Sequence, residues 1–335
     1  MTKKEFKTFI YKFNNGIIKI NNKKSVNKNP VLLAIKNNNT AIVKLLIKYT
    51  KENDNIDQKN WFGVYSLFYT IKNENTKMLK LLTEYAKETN NVIQLNEQNN
   101  FHKHPLLTAI QKNNIEVVKL LIDYAKESNI ILKINEKNIF NKTSLLYALE
   151  NNNIEMVELV MDYAKENNII LEINKKSGFN KNPLLYAVEK DNTKMVILLM
   201  NYAKENNIIL EVNAKDKNND YSLFCAIKNH NMAIIELLIE YAKENNIILG
   251  VNEKRKDGGY PLLWAIKNEN IKIIKLLIEY TKENNIILEI NEKSKDDNYP
   301  LLWAIYNKNI EMVQLLMNYA KENNIILDVN KKKLF

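Results

Sequence analysis

From Pro261 onward the chain carries an apolar cluster, Leu262-Leu263-Trp264-Ala265-Ile266, then a polar knot, Lys267-Asn268-Glu269-Asn270. A longer apolar-rich run follows, Ile271-Lys272-Ile273-Ile274-Lys275-Leu276-Leu277-Ile278-Glu279-Tyr280. The cluster predicts a short helix opened by proline, whose missing N–H costs nothing at a first helical position. The knot predicts a turn, and its closing residue is asparagine, which tolerates left-handed backbone. The apolar face of the longer run is too wide for a helix resting on a surface, so a second helix covered on more than one side is expected. It stops at Asn284-Asn285, a left-handed cap signal, and a β-prone stretch, Ile286-Ile287-Leu288-Glu289-Ile290, comes next.

The same pattern recurs along the chain, with units starting near Pro30, Ser66, Pro105, Ser144, Pro183, Ser222, Pro261 and Pro300. The first step is 36 residues and every later one is 39, and all five prolines of the chain fall at this one place. Fixed self-similarity at a period of this size is the signature of a solenoid. Asparagine always closes the knot, at Asn39, Asn75, Asn114, Asn153, Asn192, Asn231, Asn270 and Asn309. The repeat array is therefore read over residues 30–335, as one elongated domain in which each unit buries its apolar face on its neighbours. Residues 1–29 are read as an N-terminal half-repeat cap and first finger: Phe6, Phe9, Ile10 and Phe13 share one helical face.

Composition changes this picture little. The formal net charge is +10, but residues 1–29 hold eight lysines against Glu5, so the array itself is nearly balanced. Arg255 is the sole arginine, whereas a phosphate- or base-reading surface normally uses the bidentate arginine fork. Nucleic acid is thus not the expected partner, although Lys3, Lys4, Lys7, Lys23 and Lys24 leave a competing reading, a binder of nucleic acid or anionic membrane through the basic N-terminal end. No apolar run is long enough to span a bilayer, and no secretory h-region is visible. A lone Cys225 cannot form an internal disulfide, which points to a reducing compartment, cytoplasmic or nuclear.

Tyr260-Pro261-Leu262-Leu263-Trp264-Ala265 resembles the Thr-Pro-Leu-His-x-Ala opening of an ankyrin repeat. Ile273-Ile274-Lys275-Leu276-Leu277 is similar to that family's second-helix Val-Val-x-Leu-Leu, and Glu289-Ile290-Asn291 to its Asp-Val-Asn exit. The excess over the family's period of ~33 residues lies between the second helix and this exit, and the first unit, with Asn55-Ile56-Asp57, lacks three of the extra residues. The family's histidine, its turn glycine and the Gly-Ala of its exit are absent. The resemblance implies a mostly α, ankyrin-like helix-turn-helix solenoid with short β-finger or loop connections, acting as a scaffold that binds other proteins.

In such a stack one variable place on the short helix looks toward the concave groove: Leu33, Tyr69, Thr108, Tyr147, Tyr186, Cys225, Trp264 and Trp303. Tyr69, Tyr147, Tyr186, Trp264 and Trp303 are candidate protein-binding anchors, because tyrosine and tryptophan dominate interface hot spots. They can equally pack on the neighbouring finger as framework. Beside them, Lys36, Lys72, Lys112, Lys190, Lys228 and Lys267 suggest a protein partner with acidic segments, or else lie solvated near helix C-termini.

No catalytic or cofactor site is expected. His102 and His104 flank Lys103 without a third or fourth ligand nearby, which does not make a structural zinc centre. Ser66, Ser144 and Ser222 stand where other units have proline and are read as helix caps, and no phosphate-cradling glycine loop is present. Near the C-terminus, the last long helix keeps Ile310, Met312, Val313, Leu315, Leu316 and Met317. Its face is covered by the Leu334-Phe335 tail, by another chain or by further repeats.

Overall fold

In a computed structural model of the chain, residues 30–51 and 64–328 are described. The basic N-terminal half-repeat, Asn55-Ile56-Asp57 and the Leu334-Phe335 tail lie outside them. Sixteen helices are present among the described residues, and no strand. They alternate short and long, as in Pro261–Lys267 followed by Ile271–Glu283. Within each unit short helices pack on their own long partners and on the next short helix, as Pro261–Lys267 does on Ile271–Glu283 and on Pro300–Tyr306. The fold is an ankyrin-like helix-turn-helix array.

The backbone groups into two compact units, Met1–Ile139 with Glu158–Ile169, and Phe140–Val157 with Ile170–Phe335. Unit 1 holds the helices Pro30–Lys36, Thr40–Lys51, Val64–Lys72, Thr76–Glu88, Pro105–Gln111 and Ile115–Glu127. Unit 2 holds Ser144–Glu150, Pro183–Glu189, Thr193–Glu205, Ser222–Lys228, Met232–Glu244, Pro261–Lys267, Ile271–Glu283, Pro300–Tyr306 and Ile310–Glu322. Helix Ile154–Glu166 divides its residues between them.

The polar knot does two jobs in three residues. At the end of each short helix the left-handed residue is the one before the constant asparagine. These are Asn38, Glu74, Asn113, Asn152, Asp191, His230, Glu269 and Lys308, with φ between 53° and 59°. The constant asparagine itself has φ near −90° in Asn270 and Asn309. Its N–H closes the short helix, as in Asn270 N–H to Ala265 O at 2.9 Å. Its side chain then accepts the third N–H of the long helix, at 2.8–3.2 Å in all eight repeats. The sequence reading, which gave this asparagine the left-handed turn, is corrected: it is the N-cap of the long helix. The long helix ends as expected, in a Schellman motif with Asn285 left-handed and Ile286 N–H donating to Thr281 O at 2.8 Å.

Serine at the short-helix start is not a cap either. Ser144 and Ser222 occupy the first helical position, behind the caps Thr143 and Tyr221, and their buried hydroxyls have no hydrogen-bond partner. Tyr221 makes no capping bond; its hydroxyl instead donates to Gly250 O of the next repeat at 2.6 Å. Tyr260 reaches Glu292 O in the same way, at 2.8 Å.

The β-prone stretch forms no ladder. After each buried leucine the chain makes a tight i to i+2 turn, as in Ile290 N–H to Leu288 O at 2.9 Å. The leucine's own N–H is therefore aimed at a side chain. In unit 2 the amides of Leu171, Leu210, Leu249 and Leu288 donate to the hydroxyls of Tyr202, Tyr241, Tyr280 and Tyr319 of the following repeat, at 2.8–2.9 Å. In unit 1 Ile93 and Leu132 do the same to Tyr124 and Tyr163. Burial raises the pKa of Tyr163, Tyr202 and Tyr280 above the ordinary phenol value, so the hydroxyls stay neutral.

The exit asparagine adds a second rung. Asn213 donates to Ile248 O at 2.7 Å and accepts Gly250 N–H at 3.2 Å, gripping the backbone one repeat ahead with both ends of its amide. Asn174, Asn252 and Asn291 repeat this in unit 2, and Asn96 in unit 1.

Removing one hydroxyl tests the tyrosine rung. Tyr202→Phe leaves the buried Leu171 N–H without an acceptor, and its expected cost is about 1–3 kcal/mol. Urea denaturation checks it; an unchanged midpoint would contradict the assignment.

Candidate protein-binding face

In unit 2 the variable short-helix positions differ in what the preceding finger sends over them. In unit 1, Leu33 is exposed while Tyr69 and Thr108 are half-buried. The Lys36 ammonium stands 5.8 Å from the Tyr69 ring centroid.

In unit 2 the row divides. Tyr147 and Tyr186 are only 4% and 6% exposed. Lys142, from the foot of the preceding finger, lies over both rings at 5.2 and 5.8 Å. Lys142 is held by both oxygens of Glu150, at 2.5 and 2.6 Å. One repeat on, Lys181 is held by Glu189 at 2.7 and 2.8 Å, with Asp216 at 3.9 Å. Burial works against the Lys181 ammonium, but the Glu189 hydrogen bond and the two carboxylates keep its pKa above the ordinary lysine value. These two tyrosines are framework under a neutralised cover.

Beyond them the cover changes. The finger foot becomes Asp220, which pairs with Arg255 Nε at 2.5 Å, and the guanidinium lies 5.0 Å over Phe224. Cys225 is buried, and burial pushes its thiol far above the usual range. Trp264 stands edge-on to Phe224 at 5.7 Å. Its indole fits against Gly259, where a Cβ would come within 2.5 Å of Nε1. Trp264 and Trp303 are half-buried, and the Lys267 ammonium lies 5.0 and 5.3 Å from their ring centroids. Tyr306 meets Trp303 edge-on at 5.5 Å and is 76% exposed. Among the described residues, neither Lys228 nor Lys267 has a carboxylate partner.

Two of the predicted lysines fall off this row. Lys112 and Lys190 sit one residue past their short helices, at the C-caps, and Lys112 faces Glu74 at 3.6 Å. The matching row positions are Gln111 and Glu189, at the last turn of each helix. Lys36, Lys72, Lys228 and Lys267 do occupy the row and are exposed. Sequence reasoning missed the covering lysines; the signal was a basic foot eight residues before an acidic helix end, in Lys142 with Glu150 and Lys181 with Glu189.

A family model described as ankyrin repeats (3 copies) matches residues 91–170 and 246–326. The helices between them repeat the same short-long alternation and the same caps. These two stretches belong to the ankyrin repeat family. Among solved structures, this ankyrin array is similar to the ankyrin repeat domain of Bcl-3, a member of the IkappaB protein family, with a TM-score of 0.51 and 17% identity. That match covers 75% of this chain and 97% of the other. No curated protein matches. Among the described residues no helix is long and apolar enough to cross a membrane. No group of three or more His, Cys, Asp or Glu side chains among them is placed to hold a metal ion.

The two neighbouring histidines part company. His102 is a left-handed residue at an exposed finger tip, φ 55°. His104 is fully buried, and its Nδ1 caps the short helix by accepting Leu107 N–H at 3.2 Å. Burial lowers its pKa from 6.5 to about 4, with Glu136 pulling weakly the other way. The unfolded chain therefore binds a proton between these values that the folded one refuses. Stability is full above pH 6.5 and falls as the pH drops toward 4, by roughly 3 kcal/mol. Urea midpoints at pH 7.5 and 4.5 test this: the wild type loses more than His104→Asn, which keeps the cap as Asn182 does. Equal losses would contradict it.

Proposed function

We propose that this chain is a non-enzymatic protein-interaction scaffold, whose working face in unit 2 is the cluster of Trp264, Lys267, Trp303 and Tyr306 with Lys228 beside it. Ankyrin repeats are general protein-protein interaction modules, and the unit's own chemistry supports the same use. The observation that carries the reading is the contrast along one row. Lys142 and Lys181 are each neutralised by a glutamate eight residues on, whereas Lys267 lies between two indoles with no carboxylate partner among the described residues. A lysine so placed is left to pair with a partner's acidic side chain, while the indole faces and the exposed Tyr306 supply the apolar area that hot spots use. Several of the groups from which a reaction centre could be built are buried. The one thiol is buried and held protonated, His104 is a buried cap, and the serines at the short-helix starts are packed away.

A partner captured from native extract should bind at least ~10-fold more weakly to Trp264→Ala/Trp303→Ala and to Lys267→Glu, as expected for hot-spot anchors. Tyr147→Ala and Tyr186→Ala should act through stability alone. Retained binding in the tryptophan variant, with loss only when Lys3, Lys4, Lys7, Lys23 and Lys24 are reversed, would overturn the reading in favour of the basic N-terminal end.

A further inference from the structure

The finger tips carry a second surface that the inner face does not explain. The tips at 177–181, 216–220, 255–259 and 294–298 are the same five-residue turn, closed by bonds such as Ser177 N–H to Lys181 O at 2.9 Å and Asn180 N–H to Ser177 O at 2.9 Å. The turn is indifferent to its central residue. Asn218, Asp257 and Asp296 occupy that place in three tips, with the same closing bonds from Asn219, Gly258 and Asp297. In the fourth the place is taken by Phe179, and Phe140 stands 39 residues before it, the two exposed to 56% and 52%. The turn thus closes without an aromatic ring at that place. Two large apolar side chains at equivalent places on adjacent tips form a ridge rather than scattered surface residues.

The adjacent tips are locked together at the backbone. Gly178 N–H donates to Phe140 O at 2.8 Å, and a Cβ on Gly178 would meet that oxygen at 3.0 Å. Lys217 N–H likewise donates to Phe179 O at 3.2 Å. With these groups engaged, an extended peptide cannot add along the tips by strand pairing, so recognition runs through side chains. Successive repeats lie about 10 Å apart, the usual separation of packed helices, and seven residues of an α-helix rise about 10.5 Å. Beside the ridge, exposed Lys217 holds its ammonium 5.5 Å from the Phe179 ring, with no carboxylate partner among the described residues.

We propose that the Phe140–Phe179 ridge docks an acidic amphipathic helix of a partner protein, with apolar residues seven apart on the two rings and a carboxylate on Lys217. The proposal stands apart from the inner-face reading, since none of its residues belongs to that cluster.

The test places the photo-crosslinker p-benzoylphenylalanine at position 140, 179 or, as a control, 257 of the full chain, in native extract, and sequences the cross-linked peptides. Positions 140 and 179 should label one acidic, helix-patterned segment at sites about seven residues apart, and position 257 should not. Lys217→Glu should reduce the yield at least tenfold, while Trp264→Ala/Trp303→Ala should leave it unchanged. Labelling of lipid, of a second copy of this chain or of a basic or extended segment would overturn the proposal, as would no labelling at all. Phe140→Asn/Phe179→Asn should melt at the wild-type temperature; a large drop would make the rings structural and overturn it as well.

Discussion

Buried backbone N–H and C=O groups must find partners, and in this chain side chains provide them between one repeat and the next. The exit segments bend away from strand geometry after each buried leucine, so no sheet is available to satisfy them. The tyrosine hydroxyl near the end of six of the long helices accepts one amide of the preceding exit, and the exit asparagine grips a carbonyl and an amide of the following one. A side-chain ladder thus stands where a β-sheet would otherwise be. Its cost is strict: a tyrosine or asparagine that is missing leaves a buried polar group with nothing to bond.

That ladder frees other positions to vary. Because stacking is carried by Tyr, Asn and the small Ala or Thr residues of the helices, the variable place on the short helix and the tips of the fingers need only fit their neighbours. At Tyr147 and Tyr186 the fit is complete, with a lysine cover neutralised by glutamate. At Trp264 and Trp303 the lysine comes from the short helix itself and the cover is open. A framework built once therefore presents a closed surface in one part of unit 2 and an open aromatic-basic one in another.

Helix starts (except at Ser66, where the helix begins at Val64), helix lengths and the left-handed end of the long helix were legible in the sequence, because proline, apolar spacing and Asn-Asn signal them locally. The constant asparagine was visible but misassigned. Its neighbours Glu74, Glu269 and Lys308 are poor left-handed residues on their own, and only the paired capping bonds of the knot explain why they take that backbone. The β-propensity of Ile286–Ile290 misled for a similar reason: the competing partner for the Leu288 amide is Tyr319, 31 residues away. Nor could the sequence divide Tyr147 from Trp264, since the cover over Tyr147 arrives from a finger lysine anchored eight residues on. Long-range partners decided each of these.

The most direct measurement is native-state hydrogen exchange at Leu249 and Gly250 in the wild type, Tyr280→Phe and Asn213→Ala. The account predicts that Tyr280→Phe accelerates the Leu249 amide and Asn213→Ala the Gly250 amide, each with a lower melting temperature. Wild-type exchange at both amides in both variants would mean that the side-chain ladder does not hold the repeats together.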